Sequence, residues 1–217
     1  MIPVIAIDGP AAAGKGTLAR RIAETYGFAY LDTGLLYRAT GWKVLSAGDD
    51  PENPESALKG AQTLAPDDLD NPELRGDETA QAASKVAAIP SVRAALLDFQ
   101  RNFAEHPPTG AKGAVIDGRD IGTVVFPATP YKLFIIAALE VRAERRLKEL
   151  RQRGIESIHA RVLQDMKDRD ARDSQRDIAP LAKAEDAFQI DTTEMDAESV
   201  FSAALSYLVS RSLKPAS

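Results

Sequence analysis

The run VIAIDGPAAAGKGT, residues 4–17, decides how the rest of the chain is read. Val4 to Ile7 is short, apolar and rich in β-branched side chains, the pattern of a buried strand. Asp8-Gly9-Pro10 is a turn signal, and helical periodicity resumes at about Gly16. Between them, Gly9-x4-Gly14-Lys15 has the spacing of a phosphate-cradling loop. Two glycines let the backbone curl until several N–H groups converge on one anion, and the following helix adds free N–H groups and the positive end of its dipole. Gly9, Pro10, Ala11, Ala12, Ala13, Gly14, Lys15, Gly16 and Thr17 are therefore the candidate phosphate-binding loop. Lys15 supplies a cation for the β- and γ-phosphates, and the Thr17 hydroxyl is the candidate ligand for Mg2+. The general motif has Ser or Thr directly after the lysine, whereas here Gly16 intervenes.

A chain of 217 residues has room for one large domain with small inserted lobes. With 44% hydrophobic and 27% charged residues, it has the composition of an ordinary globular protein rather than a disordered one. The absence of cysteine excludes a disulfide framework and thiolate metal sites, and suits a reducing compartment. The first strand begins too early to leave room for a signal peptide, and no apolar run approaches the roughly 20 residues that span a bilayer. A cytoplasmic location with no membrane partner is the expectation. A net charge of −5 argues against a nucleic-acid partner, which calls for a basic footprint. The charge is uneven: acids crowd residues 49–78 and arginines crowd residues 142–176.

Beyond the loop, Leu18, Ile22 and Tyr26 form a helical stripe with Arg20, Arg21 and Glu24 outside, ended by Gly27. Residues 28–31 read as a second strand, and Asp32 or Thr33 caps the next helix. Prolines and acids punctuate residues 46–77 without strand alternation, so small helices and loops are expected there. Helices are expected at 77–88 and 91–103, the latter with Val92, Leu96, Phe99 and Phe103 on one face. Strands at 114–116, 132–137 and 187–190 alternate with charged helices at 140–153 and 158–172 and an amphipathic one at 197–211. Such alternation argues for a parallel sheet with right-handed crossovers, whose ligands sit beyond the carboxyl ends of the strands. Gly9–Thr17, Asp32-Thr33 and Asp117–Asp120 all fall at such ends. His106 and His159 are isolated, and Trp42 and Met166 read as packing.

Five blocks, GPAAAGKGT, LDTGLLYR, ASKVAAIPSVRAAL, DGRDIGTVVFP and RDARDSQRDIAPL, occur in this order and together resemble bacterial cytidylate kinases. The Lys-Gly-Thr ending of the loop is also similar to nucleoside monophosphate kinases in general, which accounts for Gly16. The resemblance implies an α/β P-loop kinase fold, a central parallel five-stranded sheet flanked by helices, with an acceptor-binding insert and a helical lid. It implies one kinase domain: core at about 1–40, 110–150 and 177–217, acceptor lobe at about 41–109, lid at about 151–176. The implied reaction moves the γ-phosphoryl group of ATP to CMP or dCMP with Mg2+, in a monomer.

The resemblance assigns catalytic roles to Lys15, Arg119, Arg169 and Arg176. It assigns CMP binding to Thr33, Arg38, Ser84, Arg93, Asp117, Arg119, Asp120, Asp173 and Arg176. Residue chemistry agrees with these roles. An acceptor that carries its own phosphate needs a second anion site, which bidentate arginines such as Arg38, Arg119 and Arg176 supply. Cytosine offers a donating 4-amino group and accepting ring atoms, which a carboxylate and a guanidinium can match; the resemblance gives these roles to Asp120 and Arg93, with Ser84 assisting. Arg169, Asp173 and Arg176 fall at i, i+4 and i+7, one helical face, although a solvated ion-pair network has the same spacing. Longer family members insert a small sheet in the acceptor lobe. Residues 49–78 here are short and acidic, and a reduced or all-helical version is expected. Two other readings stay open on the residues: a kinase of the same scaffold for UMP, AMP or a shikimate-type acceptor, and a nucleotide-dependent switch, whose Asn-Lys-x-Asp signature this chain lacks.

Overall fold

A computed structural model describes residues 2–215. Its centre is strand β1 (Val4–Asp8), buried along its whole length. Ile5 and Ile7 face one side, and Val4 and Ala6 face the other, as a period of two requires. Around it, β2 (Ala29–Asp32), β3 (Ala114–Gly118), β4 (Tyr131–Ile136) and β5 (Phe188–Asp191) complete a five-stranded parallel sheet in the order β2-β3-β1-β4-β5. β1 lies between β3 and β4, and the chain visits the two halves of the sheet in succession. The crevice where connections diverge therefore opens at the carboxyl end of β1, the usual ligand position in such sheets.

Helix α1 (Lys15–Tyr26) buries Leu18, Ile22 and Tyr26 against Ile5, Ile7 and the last helix, α8 (Ala197–Ser210). Burial of each such side chain is worth about 1.5–3 kcal/mol, enough to orient the helix over the sheet. Gly27 ends α1 in the left-handed region at φ 62°, where its N–H and that of Phe28 close the last turn.

A second, all-helical cluster is built from α2 (Thr33–Ser46), α3 (Pro54–Gln62), α4 (Asp77–Val86) and α5 (Pro90–Glu105). It has its own core of Leu36, Val44, Ala57, Ala61, Val86, Val92 and Leu96. Asn53 caps α3 through Glu55 and Ser56 N–H groups. Residues 49–78 hold α3 and two 3-10 turns, Pro66–Asp70 and Pro72–Arg75, and no strand among the described residues, as expected. The alanine-rich sequence is explained by close approach of α2 to α4: a Cβ at Gly41 would lie 2.9 Å from the Ala82 Cβ. One expected face needs correction. Phe99 is 40% exposed, because α5 buries the i+4 line through Val92, Leu96, Gln100 and Ala104 instead.

Helices α6 (Leu139–Gln152) and α7 (His159–Gln175) form a hairpin joined through Gly154 at φ 73°. Its small core is Ala143, Leu147, Leu150, Val162 and Met166, against which Ala11 and Ala12 of the loop pack. Trp42 donates to Glu73 at 2.7 Å and has a packing and bridging role. Among the described residues, no helix is long and apolar enough to cross a membrane.

Candidate active site

The loop after β1 is held in a shape that side chains larger than hydrogen would prevent. Gly9 has φ +147°, and a Cβ there would sit 2.0 Å from the Ile135 carbonyl oxygen. Gly14, at φ +94°, precedes α1 without any side-chain cap, so the first N–H groups of the helix stay free for an anion. Lys15 opens α1 but is only 6% exposed. Its Nζ donates to the Pro10 carbonyl at 2.9 Å and lies 3.8 Å from Asp117 Oδ1. Burial and the nearby Arg119 push this ammonium down to about 8, while Asp117 and Asp32 pull the other way. Thr17 is exposed, and a Cβ at Gly16 would lie 3.5 Å from Asp117 Oδ2.

The ends of β2 and β3 carry acids and arginines into the same crevice. Asp32 and Asp117 are register partners, and the Thr33 hydroxyl donates to the Asp117 carbonyl at 2.8 Å. Burial raises Asp117 to about 6, with Lys15 opposing and Asp32 reinforcing. Arg119 donates through Nε to Asp173 Oδ2 at 2.9 Å, which ties β3 to α7. Burial works to lower the Arg119 guanidinium, yet Asp173, Asp117 and Asp32 together raise it above its ordinary value. Burial likewise pushes Asp173 up, but Arg119 and Arg169 outweigh it and hold the carboxyl below the usual range. Arg93 of α5 donates to Asp120 at 2.5 Å and to the Ala87 carbonyl at 3.2 Å. Arg176, just beyond α7, reaches to 3.7 Å from the other Asp120 oxygen.

These groups line a cavity of about 50 Å³ that also includes Tyr37, Ser84 and Arg169. A second cavity, of about 140 Å³, lies between Ala11 and Ala12 of the loop, α4 and α7. Arg169 lines both. Among the described residues, the buried side-chain atoms without a hydrogen-bond partner are Ser84 Oγ, Thr123 Oγ1, Arg169 Nε, Arg172 Nε and Arg176 Nη2. Ser84, Arg169 and Arg176 all line the smaller cavity. Buried polar groups are almost always paired, so the unpaired Ser84 Oγ and Arg169 Nε, with the weakly paired Arg176 Nη2, leave room there for a polar ligand. Arg38 stands apart. It donates to the Leu74 and Gly76 carbonyls at 2.7 and 3.4 Å and lines the second cavity, where burial and Arg146 lower it to about 10.

A model of the cytidylate kinase family matches residues 5–210. The chain belongs to the cytidylate kinase family. A cytidylate kinase of Paramagnetospirillum magneticum is 60% identical over 211 residues, covering 97% of this chain and all 100% of that relative. A cytidylate kinase of Rhodospirillum rubrum is 56% identical over 211 residues, covering 97% and 99% of the two chains. A crystal structure of an uncharacterized protein from Eubacterium ventriosum superposes with a TM-score of 0.55 at 16% identity, covering 96% of this chain and 99% of that one. That last likeness is one of fold.

Several residues around the site escaped the reading of the sequence. Arg142, one charge among many on α6, has a side chain only 6% exposed. It donates to the Ala11 carbonyl of the loop at 3.3 Å and bidentately to Asp170 of α7, at 3.1 and 2.6 Å. Thr192, after β5, donates to the Ala13 carbonyl at 3.0 Å and accepts from Arg145. Arg172 donates to Gln81 of α4 at 2.7 Å, which joins α7 to the second helical cluster. The hydropathy pattern offers one clue to Arg142: it shares a helical line with Arg146 and Leu150, the buried side of α6.

Proposed function

We propose that the chain transfers the γ-phosphoryl group of ATP to CMP or dCMP, giving ADP and CDP or dCDP. Cytidylate kinase activity follows from the family and from close relatives along nearly the whole chain. The observation that carries the residue-level reading is that Ser84 Oγ and Arg169 Nε lack a hydrogen-bond partner, and Arg176 Nη2 has only Asp120 at 3.7 Å, in residues that line the cavity beyond β2 and β3. In this reading Gly9–Thr17 wraps the donor phosphates through backbone N–H groups, and Lys15 neutralises charge between donor and acceptor. Arg119 and Arg176 hold the acceptor phosphate from the smaller cavity, and Arg38 approaches the same phosphate from the second cavity. Thr33 and Asp117 shape the floor beside them, and Asp173 takes the sugar. Asp120 accepts from the cytosine amino group, Arg93 donates to the ring acceptors, and Ser84 completes the base site.

Phosphoryl transfer asks the protein for alignment and charge neutralisation more than for covalent chemistry. An oxygen of the acceptor phosphate bonds to the γ-phosphorus as the bond to the leaving ADP oxygen breaks, and charge builds on the three equatorial oxygens. Arg169, shared by the two cavities, is the arginine this reading sets against that charge. α7 serves as the lid, with residues 151–176 moving about Gly154 and 41–109 acting as the acceptor lobe of a single kinase domain. Among the described residues no cluster of three or more His, Cys, Asp or Glu could hold a metal by itself. This suits Mg2+, which takes most of its ligands from nucleotide phosphates and water. The Thr17 hydroxyl would be its protein ligand, and the ion would supply further charge neutralisation. The enzyme is read as a cytoplasmic monomer.

The test is a steady-state assay of ADP release with CMP, dCMP, UMP and AMP as acceptors. CMP and dCMP should lead in kcat/KM. A clear preference for UMP or AMP would overturn the base assignments to Asp120 and Arg93.

A further inference from the structure

Asp8 ends β1 on the same side of the strand as Val4 and Ala6. Its side chain is buried, at 4% exposure, where the strand pattern calls for another apolar residue. Each oxygen accepts one short hydrogen bond: Oδ1 from the Ile121 N–H at 2.8 Å, and Oδ2 from the Gly122 N–H at 2.7 Å. These two residues directly follow Asp120. The Asp120 carbonyl in turn accepts from the N–H groups of Val124 and Val125, so the turn Ile121–Val125 is tied at its start. The residue after Asp8 is Gly9, whose position against the Ile135 carbonyl fixes the root of the phosphate loop.

A carboxylate in this position is unfavourable by itself. Burial pushes it up to about 7, against the pull of the two N–H groups, with Asp120 adding to the rise and Lys15 opposing it. An apolar side chain would fill the space without that penalty, but would leave two buried N–H groups unpaired. The turn packs closely on this side: a Cβ at Gly122 would lie 3.1 Å from Lys132 Cδ and in ordinary contact, at 3.4 Å, with Asp8 Oδ2. Asp8 itself lines neither cavity.

We propose that Asp8 is a positioning residue for the acceptor base: its carboxylate joins the root of the phosphate loop to the turn that carries Asp120, and so sets the span between the donor and base sites. This rests on the assignment of Asp120 to the base. The strut works because both ends are rigid. One end is a central strand, and the other is a backbone segment held by two hydrogen bonds to a single planar group. A tilt of that plane moves the Asp120 carboxylate without moving the loop.

Asp8→Asn tests this, since it keeps the shape and one acceptor but turns an N–H donor toward a backbone N–H. KM for CMP should rise about 10–100-fold, the loss expected from misplacing a binding group by about 1 Å. The CMP-to-UMP ratio of kcat/KM should fall, while calorimetric affinity for a non-hydrolysable ATP analogue, measured without acceptor, stays within about twofold. A purely structural role would weaken both nucleotides together and leave the ratio unmoved. Gly122→Ala crowds the other end of the strut, against Lys132 Cδ at 3.1 Å and Asp8 Oδ2 at 3.4 Å, and should raise KM for CMP in the same sense, which keeps the test alive if Asp8→Asn folds poorly. Unchanged KM for CMP in both variants overturns the proposal. Asp120→Asn is measured alongside: if it alone shifts the ratio, the strut is wrong and the base assignment stands. If neither Asp120→Asn nor Asp8→Asn shifts it, the base assignment fails first.

Discussion

Replacing Asp120 with asparagine separates the fold from base recognition in one variant. In the native site Asp120 takes a 2.5 Å hydrogen bond from Arg93 and lies 3.7 Å from Arg176, and its side chain is only 7% exposed. Removing one partner of a buried pair outright is worth about 3–5 kcal/mol in lost stability, because a buried charge is left uncompensated. Asparagine keeps a neutral acceptor for Arg93, so the loss should be smaller, about 1.5–3 kcal/mol. For a chain of this size each kcal/mol moves Tm by about 2–4 °C, and a fall of roughly 3–12 °C is expected by calorimetry. Recognition should change more. A carboxylate offers only acceptors to the cytosine amino group, whereas the asparagine amide can offer a donor, which matches the uracil oxygen. Sites built around one buried hydrogen bond discriminate by factors near 10⁴ when it is unmade, and the CMP-to-UMP ratio of kcat/KM should fall about 10²–10⁴-fold. The assay is ADP release under single-acceptor conditions, with folded fraction checked at the assay temperature. A ratio within about threefold of the wild type, at intact kcat, would refute the base assignment.

Three further outcomes follow from the site's geometry. Lys15→Ala should lower kcat about 10³-fold, as loss of a preorganised charge partner does, with Tm unchanged or raised because burial already disfavours this ammonium; retained kcat would remove Lys15 from catalysis. Gly9→Ala should destabilise by about 3 kcal/mol or more, since its Cβ would meet the Ile135 carbonyl at 2.0 Å, and a Tm unmoved by the change would show that the loop can relax. Asp8 has a folded value of about 7 against an ordinary 3.8, so the folded state holds its proton more tightly. The stability it contributes is complete below 3.8 and is lost as pH rises through about 7. Urea unfolding should therefore show Asp8→Asn gaining on the wild type by about 3 kcal/mol between pH 5 and pH 8, and a flat difference would contradict the burial argument.

Strand β1, the loop and α1 were legible because apolar run, turn and helical stripe follow one another without competing signals in residues 4–26. The all-helical nature of residues 49–78 was equally readable from its prolines and missing alternation. The face containing Arg169, Asp173 and Arg176 was found by spacing, and all three do line one cavity, although Arg176 stands just past the end of α7. Three features were hidden for distinct physical reasons. Residues 121–125 are mostly β-branched, which favours a strand, yet Asp8 captures the N–H groups of Ile121 and Gly122 while the Asp120 carbonyl takes those of Val124 and Val125, and the segment winds into a π turn. Arg142 sits in so charged a helix that composition hides its burial, which depends on a tertiary partner, Asp170. Phe99 fits the apolar stripe of α5 as well as any residue, but the sheet and α3 approach along a different line of that helix. In each case local pattern was overridden by a contact distant in sequence.

The order of the sheet makes this enzyme modular. Everything between α2 and β3 leaves and re-enters the fold on one side of β1, and its helices close around a core separate from the one beneath α1 and α8. The phosphate loop is braced from the other side, by Arg142 and Thr192. Chain can therefore be added to or cut from the helical cluster without shifting the loop after β1. On the proposed assignment, new acceptors would be accommodated by grafting there, provided the graft still meets the β3 turn at Asp120.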